Sequence, residues 1–355
     1  MKFDFDKIKM VEFELSSHCN AACPQCPRNL YGGATSPDLP LQSWNIDLFK
    51  QHIPKKLLRN IDLLYFCGTY GDPLACKDVV KIVKYAREVA PNLRIGIHTN
   101  GGLRSGSVYA ELAKYLTYMA FGLDGLEDTN HIYRRHVRWS KVMQNSAAYI
   151  QAGGVAHWDF IVFEHNEHQV EHARKLSKQL GFSEFNFKRT SRFLNKSHQV
   201  VDSLDVQDFA GNYQYTIAPP KNTQYLNTSV DKWRDVDVEQ FARTTTINCY
   251  ACKSGIISIG SEGTVNPCGW LYDRLYGYES SQTQDRQRML DLMDSVGRHK
   301  TNVFKTPLQQ IVNGAWFTAI ADSWTNDTRI NRCGVQCGAI NTLSEQNLEV
   351  DYIGI

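Results

Sequence analysis

The sequence predicts an α/β fold: a parallel sheet wound as a partial, TIM-like barrel of six β/α units, followed by a small α+β domain containing a β-hairpin. Three observations predict it. Between residues 11 and 190, short β-branched or aromatic runs alternate with longer stretches of helical periodicity. Near residue 194 that alternation stops. After residue 246 a hairpin pattern and further helical segments follow. Strands are expected at 11–15, 63–67, 94–99, 118–123, 158–163 and 184–188, with amphipathic helices at 78–89, 108–115, 141–151 and 169–180 between them. Strands alternating with covering helices lie parallel, and six units leave the eight-unit barrel incomplete. In such a barrel the chemistry sits at the C-terminal ends of the strands.

Residues 194–246 are polar, hold Pro219-Pro220, and show weak helical periodicity at 202–210 and 236–242. They read as a connection wrapping the barrel. In residues 247–355, 256–259 and 264–265 read as hairpin strands joined by the turn Ser261-Glu262-Gly263. Helical segments at 285–296 and 308–320 complete this domain. The expected division is therefore 1–193, 194–246 and 247–355.

Length and composition bound the function. The 355 residues are 42% hydrophobic, enough for a proper core in one large domain or two. A net charge of +2, from 39 basic and 37 acidic side chains, argues against a protein built to coat nucleic acid or an anionic membrane. No apolar run approaches the roughly 18 residues of a membrane span, and the opening MKFDFDKIKM places acids where a signal peptide has its apolar core. A cytoplasmic, reducing location is expected. There the ten cysteines are the anomaly, because cysteines in such compartments more often bind metal or do chemistry than form disulfides.

The cysteines fall into three sets. Cys19, Cys23 and Cys26 lie near the start, Cys67 and Cys76 follow, and Cys249, Cys252, Cys268, Cys333 and Cys337 come late. No cysteine occurs between Lys77 and Asn248, so two metal sites fit better than a disulfide framework. The first set, SHCNAACPQCPRN, is a C-x3-C-x2-C loop four residues beyond the first strand. Three thiolates can hold three irons of a four-iron cubane and leave the fourth iron open. Zinc is the alternative, but it wants a fourth ligand, and His18 adjoins the first cysteine awkwardly.

This motif resembles that of the radical S-adenosylmethionine (SAM) enzymes, which carry C-x3-C-x2-C after the first strand of a partial (β/α)6 barrel. Further strand-end motifs agree over residues 10–190. Tyr70-Gly71-Asp72-Pro73 stands where the family has Gly-Gly-Glu-Pro, which holds the SAM amino group. Thr99-Asn100-Gly101 closes the third strand and Gly122-Leu123-Asp124-Gly125 the fourth, followed by His131 and Arg134. The resemblance implies SAM contacts from Tyr70, Gly71, Asp72, Pro73, Thr99, Asn100, Asp124 and Arg134. Two departures stand out: Gln25 replaces the usual aromatic residue packing near the adenine, and Tyr70 and Asp72 replace Gly and Glu. The family's chemistry is one-electron cleavage of SAM to methionine and a 5′-deoxyadenosyl radical, which abstracts hydrogen from an unactivated carbon.

The late cysteines resemble the SPASM/twitch extension of this family. Cys252-x10-Gly263-x4-Cys268 matches its first half and Cys333-x3-Cys337 its last pair, while Trp324 and Asp327 stand at two positions where cysteines would be expected. One auxiliary iron-sulfur cluster, of the [4Fe-4S] type, is therefore implied rather than two. Correspondence favours Cys249, Cys252, Cys268 and Cys337, with Cys333 as a competitor for Cys249, and a four-cysteine zinc site as the alternative.

Other features are less specific. Cys67, at the end of its strand, is either a small buried residue or a donor of hydrogen to a substrate radical; Cys76 reads as buried. His157, His165, His168 and His172 crowd one region but read as a solvated helix face. Lys188, Arg189 and Arg192 follow the sixth strand and suit either an anionic group or a solvated rim, and Tyr213, Tyr215 and Tyr225 are candidates to line a substrate cleft. The resemblance implies a peptide or protein substrate first and a small molecule nearly equally, since only 18 residues precede Cys19. A flavodoxin- or ferredoxin-like reductant would supply electrons. A non-catalytic iron-sulfur or zinc-binding protein is the remaining alternative, and it leaves the strand-end motifs without purpose.

Overall fold

The computed structural model describes residues 2–193, 200–233, 236–277 and 284–339. Its centre is an eight-stranded sheet. Six strands come in chain order: β1 (Met10–Phe13), β2 (Leu63–Phe66), β3 (Arg94–Thr99), β4 (Tyr118–Gly122), β5 (Ala156–Val162) and β6 (Glu184–Arg189). Each pairs parallel with the next. A doubly wound sheet would reverse its order at a switch point; this one never reverses, which is the winding of a barrel, and it remains open beyond β6. The expected strands are thus all present, with ends shifted by one or two residues.

Helices Val79–Val89, Gly106–Leu112, Trp139–Gln151 and Val170–Leu180 cover the outer face. Two helices the periodicity did not single out, Ile46–His52 and Lys55–Asn60, cross from β1 to β2. The outward residues of β1 explain their docking. Phe13 is fully buried, with its ring centroid 4.9 Å from that of Trp44, 5.4 Å from Phe49 and 5.8 Å from Phe66.

One expectation for the connection is overturned. Residues 202–210 do not form a helix: β7 (Leu204–Gln207) pairs antiparallel with β8 (Tyr213–Ile217). Leu204 and Val206 are buried while Asp205 between them is exposed, a period of two that the weak helical reading obscured. The second helix of that stretch does form, as Val238–Thr244.

The late hairpin consists of β9 (Ile256–Ile259) and β10 (Val265–Asn266), antiparallel to each other. Gly263 makes its turn at φ +90°, a conformation that favours glycine. The pair is not free-standing. β9 lies parallel to β1 in the register Met10↔Ile256 to Phe13↔Ile259, so the sheet runs without interruption from the early cysteine loop to the late cysteines. Gly269–Tyr276, Gln284–Val296 and Asn331–Cys337 follow the hairpin, and the single helix expected at 308–320 is two, Leu308–Val312 and Ala315–Ser323, parted at Asn313-Gly314. Among the described residues no helix is long and apolar enough to cross a membrane.

Phe13→Ala removes the ring on which β1, β2 and the crossing helices converge. Its expected cost is about 3–5 kcal/mol, read as a lowered midpoint in urea unfolding.

Candidate active site and metal centres

The loop bearing Cys19, Cys23 and Cys26 leaves β1 at the C-terminal edge of the sheet and is pinned against the loop after β2. Gly71 makes this possible. A Cβ on it would lie 1.9 Å from the Ser16 carbonyl oxygen, so only glycine lets the two backbones touch. Asp72 N–H donates to His18 O at 2.9 Å, and the Arg28 guanidinium donates to the carbonyls of Ser17 and Tyr70.

Beneath this contact sits Glu14, whose Oε1 accepts from the N–H groups of Tyr70 (2.6 Å) and Gly71 (2.9 Å). Burial pushes its carboxyl up to about 7, and the backbone amides only partly offset that. Glu12, two residues earlier, is likewise pushed by burial to about 7 and accepts from Gly269 N–H at 2.9 Å. Neither acid was singled out from the sequence. The signal was there: in Val11-Glu12-Phe13-Glu14-Leu15 the acids alternate with residues buried on the outer face, which puts them on the inner one.

Around the early cysteines several expected residues come together. Asn100 Nδ2 donates to Cys19 Sγ at 3.5 Å and Arg134 Nη1 to Cys23 Sγ at 3.8 Å. Arg134 is held by Asp124, Nε to Oδ2 at 2.5 Å, and the other Asp124 oxygen accepts from Ile161 N–H at 2.6 Å. The Asp72 carboxylate is occupied within the chain: it accepts from Thr99 Oγ1, Asn100 N–H and Leu74 N–H at 2.8–2.9 Å. Asp72 thereby ties the loop after β2 to the end of β3. Gln25 is 9% exposed; its Oε1 accepts from Thr190 Oγ1 at 3.1 Å, and its Nε2 has no partner.

Four of the five late cysteines surround one cavity. Cys249, Cys268, Cys333 and Cys337 line it together with Glu12, Trp270, Trp324 and Arg332, and Cys252 is not among the lining residues. Cys249 and Cys268 stand as the N-terminal caps of Tyr250–Ser254 and Gly269–Tyr276, and the other two lie on Asn331–Cys337. A hydrogen bond between Cys249 and Cys337 raises the Cys249 thiol and lowers that of Cys337. Trp324 supplies cavity wall, and Asp327 is exposed. Among the described residues no three Cys, His, Asp or Glu side chains converge on a single ion. Sulfurs set apart around a cavity suit a cluster in which each thiolate takes a different iron, and the late set has that arrangement.

Cys67 lies at the end of β2, where burial and the nearby Glu12 and Glu14 keep its thiol protonated. Cys76 is fully buried and donates to Trp44 O. The histidines scatter: His157 faces Glu184 at 3.6 Å, while His168 and His172 are exposed. Of the tyrosines, Tyr213 is exposed, Tyr215 donates to Ile132 O at 2.6 Å, and Tyr225 packs on Phe187.

With this geometry in place, sequence comparison bears on the barrel. Residues 13–176 match the sequence model of the radical SAM superfamily. That segment is similar to the superfamily. A SAM-dependent nucleotide dehydratase from Lacinutrix mariniflava is 30% identical over 135 residues, covering 36% of this chain and 25% of that protein. A SAM-dependent 2-deoxy-scyllo-inosamine dehydrogenase from Niallia circulans is 29% identical over 102 residues, covering 27% of this chain and 37% of that protein. The matches thus span about a quarter and just over a third of these SAM-dependent relatives. Streptococcus suis SuiB bound to precursor peptide SuiA superposes with a TM-score of 0.54 at 14% identity, over 92% of this chain and 66% of that one. That likeness is one of fold.

The Glu14 proton is held more tightly in the folded protein, at about 7, than in the unfolded chain, near 4.5. Stability therefore falls as pH rises from about 4.5 to about 7 and levels off above. Glu14→Gln keeps an oxygen for the Tyr70 and Gly71 amides and cannot ionise. It is expected to flatten the Glu14 share of that slope, leaving the share of Glu12, in unfolding midpoints measured across this range.

Proposed function

We propose that the protein is a radical SAM enzyme that abstracts hydrogen from a substrate carbon, with one auxiliary iron-sulfur cluster that binds substrate or carries an electron. The observation that carries this reading is the pinning of the three-cysteine loop to the loop after β2, with Asn100 and Arg134 donating to two of its sulfurs. Cys19, Cys23 and Cys26 would hold a [4Fe-4S] cluster with one open iron, and Cys249, Cys268, Cys333 and Cys337 the auxiliary one. When bound, the first cluster and SAM supply reductive cleavage to a 5′-deoxyadenosyl radical.

The chain's own groups divide the remaining work. N–H donors to the sulfurs stabilise their negative charge. Asp72, its oxygens taken by Thr99, Asn100 and Leu74, acts on the SAM amino group through the loop it shapes. Asp124 fixes Arg134 beside Cys23. Cys67, its thiol kept protonated at the end of β2, is placed to return a hydrogen atom to a substrate radical, its S–H bond breaking as the C–H bond forms; one electron from the external reductant and a proton would restore the thiol from the thiyl radical left behind. A flavodoxin- or ferredoxin-like protein would deliver the electron. The substrate is a peptide or a small molecule; both relatives matched in sequence are named for small-molecule chemistry, which favours the latter.

Anaerobic reconstitution tests the reading. About eight irons per chain and release of 5′-deoxyadenosine on adding SAM and dithionite are expected; zinc, or iron without SAM cleavage, would overturn it. Cys252→Ala should keep the full iron content and Cys333→Ala should lose about half, the reverse result restoring Cys252 as a ligand. Once turnover is established, Cys67→Ala should still release 5′-deoxyadenosine while product falls at least tenfold; unchanged product would remove Cys67 from the mechanism.

A further inference from the structure

The cavity among the late cysteines is walled by a cation as well as by thiols. Arg332 lines it beside Cys249, Cys268, Cys333 and Cys337, and its guanidinium carbon lies 4.3 Å from the centroid of the Trp270 ring, another part of the wall. Stacking on the indole fixes the plane of the guanidinium, so the charge has a set position. The Arg332 Nε is buried without a hydrogen-bond partner, and among the described residues the guanidinium makes no hydrogen bond and no ion pair.

The neighbouring charges have other partners. Asp273 pairs with Arg274, the next residue along the chain. Asp285 accepts from the N–H groups of Asn331 and Arg332 at 2.6 and 2.8 Å, which fixes the start of the last helix, and it faces Arg288 at 3.9 Å. Both acids attract the Arg332 guanidinium and Arg274 repels it, all from beyond contact. Glu12, the other charged residue of the lining, accepts from Gly269 N–H at 2.9 Å. A cation that has lost water without gaining a contacting counter-charge is costly. Thiolates supply that counter-charge: Arg332 is close enough to Cys268 and Cys337 to act electrostatically on both.

We propose that Arg332 sets the reduction potential of the auxiliary cluster: its fixed positive charge raises the potential of the iron-sulfur group held by Cys249, Cys268, Cys333 and Cys337 and so suits that group to accept an electron. This rests on the auxiliary-cluster reading. A cluster with a cysteine on every iron keeps no iron open for substrate, which makes electron transfer the work of the site. Reduction adds a negative charge to a group that is already anionic, and a cation beside it stabilises the reduced state more than the oxidised one. The effect is strengthened by the wall, where Trp270, Leu271 and Trp324 take the place of water. Glu12 acts in the opposite sense whenever it is ionised, and it is common to every variant compared below.

Potentiometric titration followed by electron paramagnetic resonance tests the assignment. In the full chain Cys19, Cys23 and Cys26 are all replaced by alanine, so that the late set gives the only signal, and the protein is reconstituted anaerobically. Arg332→Met is expected to keep about four irons per chain. Its midpoint should fall until the ratio of oxidised to reduced cluster at a fixed potential has risen at least tenfold, about 59 mV for one electron. Arg332→Lys, which keeps the charge, should stay within about threefold of the parent. Arg332→Gln takes the place of the methionine variant if that one does not fold, with the same fall expected. If the alanine background does not fold, the same substitutions beside the unaltered early loop should move one of two midpoints and leave the other. An unchanged or raised midpoint in the charge-free variant, an equal fall with lysine, or loss of iron from both charge-free variants overturns the proposal. Zinc in the late set, or iron that gives no reducible signal there, overturns the auxiliary-cluster reading instead.

Discussion

The rest of the molecule depends on the two-sided pairing of β1. One edge carries β2 and hence the whole parallel series; the other carries β9, which brings the late cysteines into the same sheet. Two acids on the same face of this four-residue strand and its extension then each hold one cysteine-bearing segment. Glu14 accepts from the loop that grips the early cysteines, and Glu12 from Gly269, next to Cys268. Both cysteine regions are thus referenced to one rigid strand, and rigid support is what a site needs when placement within a fraction of an ångström matters. The cost is visible in the same residues, whose carboxyls burial holds near neutrality.

Polar groups inside the barrel follow a related logic. A sheet curved around apolar layers would be more stable than one curved around Asp159, Lys188, His98, Asp124 and Arg134, because each charge loses its water on burial. The chain limits that loss by pairing: Asp124 with Arg134 and Asp159 with Lys188. Pairing offsets part of the cost of taking each charge out of water.

How much of this was legible in the sequence depended on the range of the interaction. Strands β1 to β6 stood out because each is a short apolar run between amphipathic helices, and the cysteine sets stood out because spacing alone carries ligand geometry. The β7 strand did not: Leu204 and Val206 are two buried residues in a polar stretch, and their partners lie across the hairpin at Tyr215 and Ile217. The attachment of β9 to β1 joins residues nearly 250 apart, and nothing local to Ile256–Ile259 names its neighbour. Choice among the five late cysteines had the same difficulty. Correspondence of spacing favoured Cys252, yet Cys252 sits outside the cavity that Cys333 helps to line.

Tyr70 shows why a departure from a motif can carry more than a match. A glycine at this position would leave room between the loop after β2 and Gly269–Tyr276; the tyrosine fills it. Its hydroxyl donates to Tyr272 O at 2.8 Å and accepts from Tyr276 N–H at 3.1 Å, and its ring lies 5.1 Å from that of Tyr272. That helix begins at Cys268, while the residue after Tyr70 is the glycine pressed against Ser16. Gly71, Tyr70 and one buried hydroxyl thus form a continuous contact between the early cysteine loop and the helix that starts at a late cysteine. The substitution converts a loop that need only serve one centre into a strut between two, and it makes sense only in a chain whose C-terminal region is bound to the barrel through β9.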